Sequence, residues 1–350
     1  MKKILLMCIS ILLLTGCGKV DKDDLVSSFK EKVESSKAYE INSKMEIYNA
    51  EDTFSYDIKV YYMDDDYFKV EMVNTLSEHE QVILRNDDEV YVVTPSLNKS
   101  YKFVSEWPYN SSQSYILNTL VKDIDDSKEV GFEENDDGFI LTVDVNYPNN
   151  SNLSYEKIYF DKKKNLKKVD VYDKDDIVAI SVSFNKIDYK ANLKEEDFDI
   201  NKMIEENCCN TDDENNEIND SNNEESSSEN QETGSVLEDI IYPLYVPANT
   251  FLKNKEIVNT EVGERAILTF NGDKNFVLIE EALQVNDEFE IIPVYGDPLM
   301  LSNTIGALST NSLSWNVDNV SYYLASNDLS TAEILSIADS LNTTNIVEEK

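Results

Sequence analysis

Between Tyr39 and Tyr189 the chain keeps a period of two, broken at short intervals by acidic turns. Tyr56, Ile58, Val60 and Tyr62 fall on one side, with Asp57, Lys59 and Tyr61 on the other. Phe68, Val70 and Met72 alternate with Tyr67, Lys69 and Glu71, and Phe139, Leu141, Val143 and Val145 alternate with Ile140, Thr142 and Asp144. Successive strand residues point to opposite faces, so this period predicts half-buried antiparallel strands. Between them stand Asp64-Asp65-Asp66, Asn86-Asp87-Asp88, Asn135-Asp136-Asp137-Gly138 and Asp161-Lys162-Lys163-Lys164-Asn165. Asp and Asn suit such turns because they bond their own main chain and tolerate left-handed backbone. A sheet of this length has to curl or be covered.

The expected strands lie near 38–49, 53–63, 66–75, 80–86, 89–94 and 98–104, then 127–134, 138–147, 154–161, 165–173 and 176–189. Asp23 to Ser36 is expected to be a helix capped by Asp23 or Asp24. Its stripe of Leu25, Phe29 and Val33 is fit to lie across the sheet. A second short helix is expected over Ser114 to Ile124, and Asn192 to Phe198 closes the unit.

Residues 1–17 form a targeting segment: Lys2 and Lys3, then an apolar run from Ile4 to Leu14, too short to span a bilayer as a stable helix. From 207 to 234 the chain is almost all Asn, Asp, Glu and Ser, a composition of disordered linkers. Cys208 and Cys209 open that stretch, as free thiols, a strained vicinal disulfide or a bridge to another chain. Core composition returns over 235–345. There Ala266–Phe270 and Phe276–Glu280 are expected to pair around Asn271-Gly272, and Asn311–Trp315 with Val320–Ser326. Ser330 with Glu333 forms a capping box for a last helix ending at Leu341.

The 350 residues carry a formal charge of −38. That argues against nucleic acid, which needs clustered Lys and Arg, and against docking on an anionic membrane through a basic patch. Four Cys and one His are too few for a rich metal or redox site. His79, in Ser77-Glu78-His79-Glu80, has no Ser or Cys partner in a recognisable motif and reads as a loop residue. No nucleophile elbow, phosphate-binding glycine loop or zinc spacing occurs, and the Asp clusters lack EF-hand spacing. No catalytic residue, cofactor or metal is therefore assigned, and the chain is expected not to be an enzyme.

Leu14-Thr15-Gly16-Cys17 resembles a bacterial lipoprotein signal with its lipobox. The resemblance implies diacylglyceryl transfer to the Cys17 thiol, cleavage before it, and a mature chain held on the extracytoplasmic face of the cell membrane. The helix, the hairpin series and the closing stretch Ala191–Phe198 resemble the LolA/LolB-like lipoprotein carrier superfamily over about 22–203. That resemblance implies an α+β fold, a curved antiparallel half-barrel covered by helices, with a smaller C-terminal α+β domain after the linker. Tyr242-Pro243, Gly306-Ala307, Ser314-Trp315, Tyr322–Ser326 and Leu329-Ser330 extend the likeness to two-domain YdcC-like sporulation lipoproteins of bacilli. The germination lipoprotein GerS shares only the lipobox and the sheet, and the two-domain plan is similar to the RseB/MucB regulators that bind an anti-sigma factor. The implied ligand is a lipid, a lipoprotein or an envelope protein partner. Ile41, Met45, Ile58, Val60, Val70, Met72, Val143 and Val145 are the candidate lining residues, with plain core as the competing reading.

Overall fold

Helix α1 (Lys22–Glu34) turns Leu25, Phe29 and Val33 into the core. Its N-cap is Asp21, whose Oδ1 accepts the Asp24 amide at 2.9 Å. The sequence points one turn position too late: Asp23 and Asp24 lie inside the first turn, where their charge suits the helix dipole instead. The computed structural model describes residues 20–49, 52–64, 66–86, 89–209, 236–260, 263–283, 288–317 and 320–341. Cys17 and most of the stretch 207–234 lie outside these residues.

Eleven strands follow α1: β1 (Ala38–Asn49), β2 (Asp52–Met63), β3 (Tyr67–Asn74), β4 (Glu80–Asn86), β5 (Glu89–Thr94), β6 (Lys99–Val104), β7 (Gly131–Glu134), β8 (Gly138–Asp144), β9 (Leu153–Asp161), β10 (Leu166–Asp173) and β11 (Val178–Asp188). They form two antiparallel meanders, β1–β6 and β7–β11, joined where β11 pairs with β1. The acidic turns act through their own backbone. Asp161 Oδ1 accepts the amides of Lys163 and Asn165 at 2.8 and 2.9 Å, and Asn135 Oδ1 accepts those of Asp137 and Gly138. Gly138 holds φ near +157°, and a Cβ there would meet the Phe160 carbonyl oxygen at 1.9 Å, so only glycine fits that turn.

Three boundaries differ from the sequence expectation by three residues or more. The strand expected over 127–134 is confined to Gly131–Glu134. Helix α2 (Leu117–Asp126) starts after Ser114 and Tyr115, which form a turn. Strand β8 stops at Asp144 because the next residues tie down the preceding loop: the Asn146 amide donates to Ser112 Oγ at 2.8 Å, and the Ser112 amide to the Asn146 carbonyl at 2.7 Å.

Strands β4 and β5 are buried on both faces. On the face away from α1, Phe198 and Ile200, from the turn after β11 and the start of α3 (Ile200–Cys209), pack on Val82, Leu84, Tyr91 and Val93. Two covers require apolar residues on both sides, which is why Val82-Ile83-Leu84 and Val90–Val93 run without alternation.

The C-terminal region supplies β12 (Thr250–Asn259), β13 (Glu264–Gly272), β14 (Phe276–Ala282), β15 (Glu290–Val294), β16 (Asp297–Met300), β17 (Ile305–Leu308), β18 (Ser312–Val317) and β19 (Val320–Ala325). Seven of these make a second sheet, in the order β12-β13-β14-β19-β18-β17-β16. Helix α4 (Thr331–Leu341) buries Ile334, Ile337, Ala338 and Leu341 against it. The capping box is formed, with the Ser330 amide donating to Glu333 Oε2 at 2.8 Å and the Glu333 amide to Ser330 Oγ at 3.3 Å. Strand β15 leaves this sheet and pairs in parallel with β6, becoming the twelfth strand of the large sheet. Pro293 suits that place, since an edge strand can leave one N–H position empty.

Candidate functional site

One face of the large sheet is covered by α1 and α2, and its registers can be followed residue by residue. Tyr56, Met45, Val182, Val169, Ile158 and Leu141 stand side by side across six strands, all at most 3% exposed. A second row sets Val70 beside Val60, Ile41 and Ile187, and a third sets Met72 beside Ile58, Ser43 and Phe184. Ile41, Met45, Ile58, Val60, Val70, Met72 and Val143 therefore share this face and one apolar cluster, and none exceeds 2% exposure. Val145 does not join them: it lies past the end of β8 and is half-buried. The cluster also contains Leu25, Phe29 and Val33 of α1 and Leu117, Leu120 and Ile124 of α2. Phe29 meets Phe160 edge to face, ring centroids 5.3 Å apart. Ile305 and Ala307 of β17 close the cluster from the second sheet.

Polar groups interrupt this face at one end. Glu156 of β9 lies beside Val143 and Val171, is fully buried, and has neither carboxyl oxygen hydrogen-bonded. Burial first, and then the neighbouring Asp123, hold its carboxyl well above the usual carboxylate range. Asp123 of α2 accepts from Ser112 Oγ at 2.9 Å, and burial pushes it up to about 6. The pair keeps protons that exposed carboxylates would lose.

A second polar element sits where the two sheets meet. Gln81 of β4, buried, accepts the Ile305 amide at 2.8 Å through Oε1. Tyr56 OH donates to the Ser302 carbonyl at 2.7 Å, and Asn316 Nδ2 to Tyr101 OH at 2.6 Å. Sequence reasoning missed these residues. The one available signal was Gln81 itself, a polar residue heading the apolar run Val82-Ile83-Leu84.

The opposite face of β9 and β10 is lined with tyrosines. Tyr155 and Tyr172 stack with centroids 4.8 Å apart, and the hydroxyls of Tyr159 and Tyr172 are 3.3 Å apart. Lys157 and Lys168 lie over the rings of Tyr172 and Tyr159.

His79 is half-buried in the turn between β3 and β4, where its carbonyl accepts the Asn74 amide at 2.9 Å. Among the described residues no group of three His, Cys, Asp or Glu is placed to hold a metal, and no helix is long and apolar enough to cross a membrane. Cys17 lies outside the described residues, as do the side chains of Cys208 and Cys209.

Comparison with known proteins adds four findings. The sequence profile of sporulation protein YdcC-like proteins matches residues 1–198. Sporulation protein YdcC of Bacillus subtilis (strain 168) is 32% identical over 337 residues, covering 95% of this chain and 94% of its own. Among solved structures, MucB is similar over 92% of this chain and 98% of its own, with 10% identity and a TM-score of 0.33. The LolA superfamily protein NE2245 from Nitrosomonas europaea is similar over 52% of this chain and 99% of its own, with 10% identity and a TM-score of 0.31. By the profile match and the identity to the Bacillus protein, the chain belongs to the sporulation protein YdcC-like family.

Proposed function

We propose that the chain is a membrane-anchored extracytoplasmic lipoprotein that works in sporulation by binding an envelope protein through its outer surface, without catalysis. Family membership and the name of its Bacillus relative support the setting. The motif Leu14-Thr15-Gly16-Cys17 supports the anchor, since two or more acyl chains at about 0.8 kcal/mol per buried methylene hold a chain stably. The observation that carries the choice of partner is the covered face. Its seven aligned candidates are at most 2% exposed and packed by α1 and α2. An acyl chain entering there has to displace side chains whose burial contributes about 1.5–3 kcal/mol each. The tyrosine-lined outer face of β9 and β10 has the residue type enriched at protein interfaces.

The test uses sporulating cells. A photocrosslinking residue at Tyr159 should give one discrete adduct with an envelope protein, and the same residue at Tyr323 of the second sheet should not. Cys17→Ala should release the protein from the membrane fraction and remove the acyl mass. A membrane-bound C17A variant, or adducts at both positions alike, contradicts the proposal.

A further inference from the structure

The overall charge of −38 hides a local reversal. Residues 161–168 carry five lysines against one aspartate. The fold lays this turn, between β9 and β10, along α1: Lys164 Nζ reaches Asp24 Oδ2 at 2.7 Å, and Lys32 Nζ donates to the Lys164 carbonyl at 3.2 Å. Past the end of α1, Lys37 and Lys190 line an open groove of about 600 Å³ together with Lys32, Asn165 and Tyr189. Lys37, Lys162, Lys163 and Lys190 are exposed, and among the described residues none has a carboxylate within ion-pair distance. Asp161, the aspartate of the turn, is occupied by the amides of Lys163 and Asn165. Exposed acids of α1 border the cluster: Asp24 pairs with Lys164, and Glu31 and Glu34 lie further along the helix.

We infer that this lysine cluster beside α1 is a docking face for an anionic lipid surface. Charge complementarity and the position of the tether select that occupant. Lys22, the first residue of α1, stands five positions after Cys17, so the connecting chain spans at most about 20 Å. Helix α1 is itself about 20 Å long. The cluster thus lies within about 40 Å of the point where Cys17 would enter a bilayer, within reach of its surface. Repulsion from the remaining acidic surface is screened over about 8 Å at physiological salt, whereas lysines in contact with headgroups are not. The tether would then hold the protein in one orientation. This geometry rests on the anchored reading, but charge-dependent lipid binding can be tested without the anchor.

The mature chain from Gly18, which keeps every described residue, is sedimented with vesicles of phosphatidylcholine alone or with phosphatidylglycerol added. Binding should require phosphatidylglycerol and vanish at high salt. K162E/K163E should lower it at least ~10-fold. K253E/K255E, the same charge change on exposed lysines of β12, should leave it within about twofold. Equal losses in the two variants, or no preference for phosphatidylglycerol, overturn the inference. Binding to polyglutamate but not to vesicles assigns the face to an acidic protein and overturns it too. An unmodified Cys17 in cells, with vesicle binding intact, removes the anchor and leaves the lipid-binding face standing.

Discussion

Met45 and Ile257 are both apolar residues of long strands, yet one is 2% exposed and the other 52%. Met45 lies in β1, at the middle of the large sheet and beneath two helices. Ile257 lies in β12, the edge of the second sheet, where nine of the ten residues are exposed. Strand formation is the same in both places. What differs is cover: α1 and α2 over one sheet face and, among the described residues, nothing over the edge of the other sheet. Burial, and so the energetic meaning of an apolar residue, comes from a neighbour distant in sequence.

The largest effect that can break this comparison is a charge placed in each region. Val143→Asp puts a carboxylate at a 1% exposed position beside the buried Glu156, and should destabilise by about 3–5 kcal/mol. Val258→Asp, on the open edge at 41% exposure, should stay within about 0.5 kcal/mol. Urea denaturation of both variants gives the comparison. Similar midpoints would mean that the helices do not cover the large sheet in solution.

Next comes the buried carboxyl pair. Asp123 rises from 3.8 to about 6 because burial disfavours its charged form. The native state therefore binds more protons than the unfolded state between these values. Stability is greatest below about pH 4, falls as the pH climbs towards 6, and is flat above that as far as this group goes. Asp123→Asn should remove most of that fall, about 3 kcal/mol. Glu156, held well above the usual carboxylate range by burial, acts with the same sign, so Glu156→Gln should flatten the curve further. A pH dependence unchanged in both variants contradicts the buried placement.

Smaller effects report on the join between the sheets and on the first helix. Gln81→Ala leaves the buried Ile305 amide unpaired and should cost about 1–3 kcal/mol. Hydrogen exchange at Ile305 should speed up with it; protection as in the wild type would place the join elsewhere. Asp21→Ala removes the cap of α1 and should cost about 1 kcal/mol. No change in Tm with Asp21→Ala, and a loss with Asp23→Ala instead, would restore the cap expected from sequence.

The alternating strands were legible because alternation is a local property, written into Tyr56–Tyr62 and Phe68–Met72. So were the turns, whose Asp and Asn side chains bond amides two to four residues away. Long-range choices were not legible. Nothing in Glu290–Val294 marks it as a parallel partner of β6, because that pairing depends on where the second sheet comes to rest. Val145 continues the alternation of β8, but the Ser112–Asn146 bonds, which periodicity does not register, end the strand before it. Of the candidate face, sequence supplied the residues and the helix stripe that covers them, but not the closure by Ile305 and Ala307 of β17. The lysines of the 161–165 turn were plain to see, yet a whole-chain charge of −38 concealed that the turn lies against α1, near Lys37 and Lys190.

The helix-covered face of the large sheet is filled by its own side chains. The most direct test titrates the chain from Gly18, which keeps every described residue, with a fluorescent fatty acid. With that face filled, no saturable binding is expected, and the probe should leave Tm unchanged. Saturable micromolar binding with a raised Tm, both abolished by a bulky polar substitution at Met45, would contradict it and place an acyl chain where α1 and α2 now pack.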